Sequence, residues 1–319
     1  MKVNVVWHPS SLRHRTGSGH PENPERLRAI LETLRSEELA SSVVWHEAAP
    51  ANREHILEVH SLQYVQRLEQ LAEQGGGRLD GDTVMSADSF DAALHAAGAA
   101  IKAVELAHGG ESAFAAVRPP GHHACRTRAM GFCLLNNIVI AARFALNNYH
   151  LSRVLIVDWD VHHGNGTQEL VESDERVRYV SLHEWPLYPG TGATEERGVG
   201  NIFNVPRPGG LPRARYVEDL NRAVDSATRS WNPDLVLISA GFDAMAGDPL
   251  AHFTLEPEDY TEWVSRWLGF RVPIVSVLEG GYVPERVAAG VVAHLWSMGK
   301  AGPPGFHFGP EHAVDSRQL

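Results

Sequence analysis

Six short, mainly apolar runs rich in valine and isoleucine constrain the fold of this chain more than any other feature. Most of them lack polar residues at alternating positions, so both faces of each predicted strand are apolar. Strands of this kind lie in the middle of a parallel sheet that is covered on both sides. The predicted strands are residues 3–7, 113–117, 154–157, 177–182, 235–239 and 274–278.

Segments with the 3.6-residue period of amphipathic helices lie between these runs. They cover residues 22–35, 60–73, 88–107, 136–146, 213–229, 257–269 and 284–298. A strand followed by a helix, repeated along the chain, predicts an α/β fold. No proline and glycine cluster resembles a linker, and no internal repeat is present. We therefore expect one domain over residues 1–298, followed by a Gly-, Pro- and His-containing C-terminal tail at 299–319.

The composition disfavours several classes of protein. The 319 residues include 28 basic and 39 acidic ones, and the net charge of −11 argues against direct binding to nucleic acid. The two cysteines are too few for a disulfide framework and indicate a reducing compartment. No apolar stretch approaches the length of a membrane-spanning helix. We expect a soluble, cytoplasmic protein that does not bind membranes.

Four of the predicted strands are followed directly by titratable or polar side chains. Because the carboxyl ends of parallel strands meet at one edge of a sheet, these side chains are expected to lie together where ligands bind. A single aspartate in such a place usually caps the next helix. Titratable or polar side chains after four strands, all at one edge, indicate a functional site instead. The residues are His122, His123, Asp158, Asp160, His162, Asn165, Asp243, Glu279 and Tyr282.

Three of these residues form a candidate metal site. Asp160 and His162 are two positions apart, so their side chains point to the same side of an extended segment. Asp243, which follows a different strand, can supply a third ligand. Two carboxylates and one imidazole leave coordination positions open, as in catalytic metal sites. Zn²⁺ is the expected metal, and the same ligands would also suit Fe²⁺ or Co²⁺.

A metal in this site predicts hydrolytic chemistry, because it lowers the pKa of a water molecule and polarises a carbonyl group. His122 and His123 are candidate general bases, and Asp158 and Asn165 are expected to fix their tautomers. An imidazole that faces a carboxylate is biased toward its charged form, so the histidine facing the amide is the better base. Tyr282 follows two glycines, which would let its phenol swing over the metal and donate to a developing oxyanion.

Several strings of the sequence resemble the histone deacetylase family, in particular its class II and bacterial deacetylase-like members. They are His-Pro-Glu-Asn-Pro-Glu-Arg at 20–26, Pro-Pro-Gly-His-His-Ala at 119–124, Gly-Phe-Cys-Leu-Leu-Asn-Asn at 131–137, Asp-Trp-Asp-Val-His-His-Gly-Asn-Gly-Thr at 158–167, Ala-Gly-Phe-Asp at 240–243, Gly-Asp-Pro-Leu at 247–250 and Glu-Gly-Gly-Tyr at 279–282. The resemblance implies an arginase-like three-layer α/β fold around a central, mostly parallel eight-stranded sheet. It also implies hydrolysis of an N-acyl amide to a carboxylate and an amine.

The resemblance assigns roles to single residues. It implies zinc at the three ligands already named, His123 as the main general base and acid, and His122 as its electrostatic partner beside Asp158. Tyr282 would help the metal to stabilise the tetrahedral intermediate. Asn165 stands where class I members have an aspartate, which places the chain with the class II type.

Substrate-binding positions follow from the same motifs. The resemblance implies a tunnel for the apolar part of an acyl-lysine, an inner-channel arginine, and a rim aspartate that grips the substrate backbone. These residues are Gly131, Phe132, Tyr188, Leu250 and Gly280 for the tunnel, Arg26 for the inner channel and Asp82 for the rim. Tyr188 replaces a phenylalanine that is common in the family, so the tunnel is expected to be more polar at its bottom.

The family also implies two structural K⁺ sites. The site near the zinc would use Asp158, Ser181 and Leu182, together with the backbone of Asp160 and His162. A second, more distant site would fall on Val171, Asp174 and Val177, which have no sharp motif.

The expected partner is an acetylated lysine protein or peptide, or a small acetylated amine. Acetylpolyamines and simple acetamides remain alternative substrates. Polyamine-specific members can carry an acidic residue where this chain has Leu250, although Asp82 or Glu184 could supply that acid. The oligomeric state, including a homo-oligomer, is left open.

Two other functions compete with a deacetylase. A ureohydrolase on the same fold needs a second aspartate where this chain has Met245, which disfavours a two-metal site. A protein that binds acyl groups without cleaving them would lack the oxyanion donor, whereas Tyr282 and all three metal ligands are present.

Overall fold

Eight strands form the central sheet, and every pair of neighbouring strands in it is parallel. The structure, a computed structural model, describes residues 2–299. Its strands are β1 Val3–Trp7, β2 Val43–Glu47, β3 Gly76–Arg78, β4 Val84–Ser86, β5 Ala113–Ala115, β6 Val154–Asp158, β7 Val177–Glu184, β8 Ile202–Arg207, β9 Leu235–Ala240 and β10 Ile274–Leu278. Strands β3 and β4 form a separate antiparallel hairpin. The tail predicted at 299–319 lies, apart from Gly299, outside the described residues.

Helices pack against the sheet in two groups. Helix α10 contacts α2 and α9, and α5 contacts α4 and α6, so the sheet lies between two helical layers. The helices are α1 Ser10–Arg13, α2 Pro24–Leu34, α3 Arg53–Leu57, α4 Leu62–Glu73, α5 Ser89–His108, α6 Asn137–Asn148, α7 Asn165–Val171, α8 Arg213–Thr228, α9 Pro257–Trp267 and α10 Pro284–Met298, with 3₁₀ turns at Ala40–Ser42 and Leu268–Phe270. Within residues 2–299, no helix is both long and apolar enough to cross a membrane.

The strand order places the predicted site strands side by side. The order is β2-β1-β5-β10-β9-β6-β7-β8, so β5, β10, β9 and β6 are consecutive neighbours in the middle of the sheet. Every residue of β6, β9 and β10 is buried, as expected for strands covered on both faces. The residues that follow these four strands therefore meet at one edge of the sheet. The prediction of a central parallel sheet is confirmed.

Local sequence signals begin the helices beside this edge. The Asn23 side chain accepts a hydrogen bond from the amide of Glu25, and Pro24 occupies the first position of α2. The Asn136 side chain accepts from the amide of Val139 at the start of α6. Asparagine at the N-cap and proline at the first helical position are common helix-start signals. These signals fix the residue at which each helix begins after a loop of the site.

The sequence prediction missed the edge strands and the short elements. All five residues of β2 are at least partly exposed, and β8 contains Asn204 and Pro206, so neither forms a continuous apolar run. Helices α1, α3 and α7 have only four, five and seven residues, which is too short to display a helical period. The hairpin of β3 and β4 was also missed. Strand β5 ends at Ala115, two residues before its predicted end, and β7 continues two residues further, to Glu184.

Candidate active site

Asp160, His162 and Asp243 converge beyond the carboxyl ends of β6 and β9. The Nδ1 atom of His162 lies 3.2 Å from Asp160 Oδ1 and 3.2 Å from Asp243 Oδ2. All three side chains are buried, and one ligand atom from each lies within 4.8 Å of the others. The two segments, distant in the chain, meet because β6 and β9 are neighbours in the sheet.

The donor set fits a divalent metal ion. Within residues 2–299 the buried Asp243 Oδ2 accepts no hydrogen bond, although the His162 imidazole lies 3.2 Å away, so a cation would satisfy this carboxylate. The other oxygens are held by the backbone: the amide of Val161 donates to Asp243 Oδ1 at 3.0 Å, and the amide of Gly280 donates to Asp160 Oδ2 at 2.8 Å. Such outer contacts orient metal ligands. The site therefore has the residues and the support that a metal with open coordination positions requires.

His122 is paired with carboxylates. Its Nδ1 lies 3.1 Å from Asp158 Oδ2, and the Tyr179 hydroxyl donates to the same oxygen at 2.9 Å. Burial alone would lower the pKa of His122, but the charges of Asp160 and Asp158 outweigh it and raise this pKa to about 10. These carboxylates therefore favour the charged form of the imidazole.

His123 is paired with an amide. Its Nδ1 lies 2.9 Å from Asn165 Oδ1, while Asn165 Nδ2 faces the sulfur atoms of Cys125 and Met130 at 3.4 Å each. An amide oxygen only accepts, so Nδ1 of His123 carries the hydrogen and Nε2 is left with its lone pair. Burial, followed by the charges of His122 and His162, holds the pKa of His123 well below its ordinary value. His123 is the neutral member of the pair.

Several backbone groups that lead to Tyr282 are held by hydrogen bonds. The carbonyl of Gly280 accepts from the amide of Phe242 at 3.0 Å, and the amide of Tyr282 donates to Asp248 Oδ2 at 2.8 Å. The Arg26 guanidinium donates to the carbonyls of Glu279 and Gly281 and lies 5.1 Å from the centre of the Tyr282 ring. Burial and the charge of Asp243 keep the pKa of the Tyr282 phenol well above its ordinary value, so the phenol remains a donor.

The structure gives the two glycines before Tyr282 a role other than the flexibility expected from the sequence. A Cβ on Gly280 would lie 2.0 Å from Asp243 Oδ2 and 2.6 Å from Asp160 Oδ2. Gly281 has a φ of +115°, which side-chain-bearing residues rarely adopt. Gly280 therefore lets the backbone approach the two carboxylates closely, and Gly281 supplies the backbone angle of the turn. Gly280, predicted to contact substrate, lies against the candidate metal ligands.

Two aromatic rings flank the catalytic candidates. The Tyr188 ring packs edge-on against His123, with 5.1 Å between ring centres, and the Phe132 ring packs edge-on against Tyr282 at 5.9 Å. Gly131 lies against His123, because a Cβ there would be 2.3 Å from His123 Cδ2. Leu250 and Tyr282 line an open depression of about 540 Å³. The predicted tunnel residues are thus brought to the same face as His123 and Tyr282.

Arg26 and Asp82 lie at different depths. Arg26 is fully buried and pairs with Glu22, which also binds the guanidinium of Arg118. Asp82 is partly exposed in the turn between β3 and β4, where it accepts from the Thr83 hydroxyl at 2.9 Å. The same hydroxyl accepts from the amide of Phe132 at 3.1 Å. Arg26 thus supports the loop of Tyr282 from the protein interior. Asp82 is linked through the Thr83 hydroxyl to the backbone of Phe132.

Sequence reasoning gave no specific role to two carboxylates that position the site, the buried Glu279 and the partly exposed Asp248. Glu279 Oε2 accepts from the amides of Gly121 and His122 at 2.7 and 3.1 Å and so fixes the segment that carries the histidine pair. Asp248 accepts from the amides of Tyr282 and Leu250. Both residues stand in motifs that were recognised, but their partners are distant in sequence. Only the three-dimensional contacts identify them.

The two expected potassium sites differ in the structure. Asp158 and Ser181 are register partners on β6 and β7, so the residues named for the inner site lie together, and potassium there remains a prediction. The outer site does not fit. The carbonyl oxygens of Val171, Asp174 and Val177 all accept hydrogen bonds from Asn201 Nδ2, so an amide nitrogen lies where the ion was expected.

Comparisons with known proteins agree with this geometry. Residues 20–298 match the family model described as "Histone deacetylase domain". Among curated proteins, the chain is 39% identical over 298 residues to a "Probable deacetylase" of Archaeoglobus fulgidus, covering 89% of this chain and 82% of that protein. It is 36% identical over 279 residues to the "Histone deacetylase-like amidohydrolase" of Pseudomonas aeruginosa, covering 83% of this chain and 73% of that one.

A solved structure is similar in three dimensions. The crystal structure of the HDA15 HD domain superposes with a TM-score of 0.89 and 34% sequence identity, covering 94% of this chain and 89% of that chain. The arginase-like α/β fold expected from the sequence is thereby confirmed.

Proposed function

The chain belongs to the histone deacetylase family, and from this premise we propose that it is a zinc-dependent hydrolase that removes acetyl groups from the side chains of acetylated lysines in proteins or peptides. One observation carries the proposal: three side chains that could hold a metal ion lie together near a histidine whose pKa is lowered and a tyrosine whose pKa is raised. Together these groups supply a metal site, a base and an oxyanion donor, the parts that amide hydrolysis needs.

Asp160, His162 and Asp243 would hold the metal, which when bound would lower the pKa of a water molecule and polarise the acyl carbonyl. The Nε2 atom of His123 would take the proton from the attacking water and then pass it to the departing amine. Asn165 supports this role because it keeps the Nδ1 hydrogen of His123 in place. The Tyr282 hydroxyl would donate to the acyl oxygen as negative charge develops on it.

The surroundings of the site favour an acyl-lysine over a polyamine. Phe132, Tyr188 and Leu250 offer apolar and aromatic surface to the four-carbon stem of a lysine side chain. Glu184, a candidate acid for binding a polyamine, already accepts from the amide of His252 at 2.7 Å and faces its Nδ1 at 2.8 Å. Of the two acids considered for binding a polyamine, Asp82 at the rim then remains. There it would accept from the substrate backbone.

Turnover by the purified, zinc-loaded protein tests the proposal. The panel is an acetyl-lysine peptide, an acetylated polyamine and a simple acetamide, with Tyr282→Phe as the matched variant because it removes only the hydroxyl. We expect the peptide to be the best substrate and Tyr282→Phe to lose about a hundredfold or more in kcat. A hundredfold preference for the polyamine would contradict the substrate assignment. No turnover on the whole panel, with metal bound, would indicate a protein that binds acyl groups without cleaving them.

A further inference from the structure

Three backbone carbonyl oxygens point to one spot between α7 and β7. They belong to Val171, the last residue of α7, to Asp174 in the connection, and to Val177, the first residue of β7. The turn that aligns them is closed by its own hydrogen bonds, from the amide of Asp174 to Val171 O at 2.9 Å and from the amide of Val177 to Asp174 O at 3.0 Å. Converging carbonyl dipoles create a negative potential that attracts a positive group.

The group at this spot is the side-chain amide of Asn201. Its Nδ2 atom lies 2.8, 3.1 and 2.9 Å from the carbonyl oxygens of Val171, Asp174 and Val177. These are ordinary N–H···O hydrogen-bond distances, so no room remains for an ion between the nitrogen and the three oxygens. The nitrogen occupies the point at which a cation would contact all three carbonyls.

The amide can face the carbonyls in only one orientation. If it were turned over, Oδ1 would face three oxygen atoms and no donor, which is repulsive in a buried site. Asn201 is only 3% exposed, and its backbone carbonyl accepts from the amide of Tyr179 at 2.9 Å. A Cβ on Gly198 would lie 2.6 Å from Asn201 Oδ1, so the chain leaves space for the amide by using glycine.

The carboxylate of the turn is already paired with two arginines. The carboxylate of Asp174 is paired with the guanidinium groups of both Arg143 and Arg176. A second nitrogen of Arg143 donates to the carbonyl of Leu170 at 3.1 Å. The two arginines thus neutralise the Asp174 carboxylate, so this side chain adds little to the attraction of a cation toward the three carbonyls.

We propose that the Asn201 amide replaces the outer monovalent cation expected from the family resemblance, so that the connection between α7 and β7 is held together without potassium. The replacement matters for the site because α7 begins at Asn165, the residue that faces His123. A hydrogen-bonded amide fixes the far end of this helix whatever the ionic composition of the solution, whereas a bound ion would leave when its concentration falls.

The wild-type protein gives the first test. Crystals soaked in Tl⁺, which stands in for K⁺ and scatters anomalously, should show no peak within contact distance of the carbonyls of Val171, Asp174 and Val177. A peak coordinated by those three oxygens would overturn the proposal. The measurement does not depend on activity, so it is independent of the proposed deacetylase function.

Two matched variants give the second test. Asn201→Ala exposes the three carbonyls, while Asn204→Ala removes another buried asparagine of the same segment, whose Nδ2 donates to Gln168 at 2.8 Å. The midpoint of thermal unfolding is measured in K⁺ and in a bulky organic cation at equal ionic strength. Asn201→Ala should gain several degrees in K⁺ beyond any gain of the wild type or Asn204→Ala, and a Tl⁺ peak should appear between its carbonyls. An equal response in all three proteins would refute the idea that the amide stands in for a cation.

Discussion

At the scale of single residues, two adjacent histidines of the site differ in the partner that each one faces. The ring centres of His122 and His123 are only 4.0 Å apart, yet one ring faces a carboxylate and the other an amide. A carboxylate stabilises the charged imidazole, and that charge in turn disfavours protonation of the second ring. In the proposed reaction, His122 would therefore be the charged member of the pair and His123 the neutral base.

This division predicts unequal losses on substitution. His123→Ala should lose about 10²–10⁴-fold in kcat because it removes the base. His122→Ala should retain a larger residual rate, because it removes only a charge beside the reaction. Steady-state kinetics of both variants at equal metal content, confirmed by elemental analysis, provide the measurement. Equal losses, or a larger loss for His122→Ala, would reject the assignment of His123 as base.

At the scale of elements, the connection between β10 and α10 is a rigid support for Tyr282. Arg26 holds two of its carbonyls, Asp160 holds one amide, and Asp248 holds the amide of Tyr282 itself. A phenol whose backbone is held in this way has less freedom to lose when the reaction reaches its transition state. The position of the proposed oxyanion donor therefore depends on side chains far away in the sequence.

Removing one of these supports should act through Tyr282. Asp248→Ala is expected to lower kcat about tenfold or more with a smaller change in KM, because the hydroxyl is displaced from the developing charge. In a Tyr282→Phe background, the same substitution should have little further effect on kcat. A double-mutant cycle measures this coupling, with Asp225→Ala, on the exposed face of α8, as a control that leaves kcat unchanged. Independent, multiplying losses would mean that Asp248 acts on another part of the site.

At the scale of the whole molecule, burial of histidines outside the site links stability to pH. His294 is fully buried, contacts Ser276 Oγ at 2.8 Å and packs edge-on against Trp159. His60 joins two loops, with Nδ1 facing Cys125 O and Nε2 accepting from the amide of Asn136. Burial lowers the pKa of His294 from 6.5 to about 3, and that of His60 from 6.5 to about 4. Both are neutral in the folded protein.

The folded protein should lose stability as the pH falls from about 6.5 toward 4. In this range the unfolded chain binds protons that the folded chain excludes, so the free energy of unfolding decreases with decreasing pH. His294 alone contributes a decrease of about 2 kcal/mol between pH 8 and pH 5. Urea unfolding of the wild type and His294→Leu at both values measures this contribution.

The variant and its control separate titration from packing. His294→Leu should be less stable at pH 8, since the Ser276 hydroxyl loses its partner, but its stability should fall less between pH 8 and pH 5. His108→Leu, at an exposed position, should keep the wild-type difference between the two pH values. An unchanged pH dependence in His294→Leu would show that this histidine does not exclude a proton in the folded state.

Much of the fold could be predicted from sequence because its signals are local. Buried parallel strands appear as apolar runs, and six of the eight strands of the sheet were found in this way. The edge strands β2 and β8 could not be found, because they contain partly exposed and polar residues and form no continuous apolar run. No local pattern indicates which strands are neighbours in the sheet.

The sequence by itself indicated the α/β class and the candidate site residues, namely the three proposed metal ligands, the two histidines and Tyr282, because each follows directly from a strand or lies in a contiguous motif. The tertiary structure alone decided which residues support them. Asp248, Glu279 and Asn201 act on backbone groups that come near only after the sheet has formed. A backbone amide or carbonyl carries no sequence signature, so a side chain that recognises one can be identified only when the chain is folded.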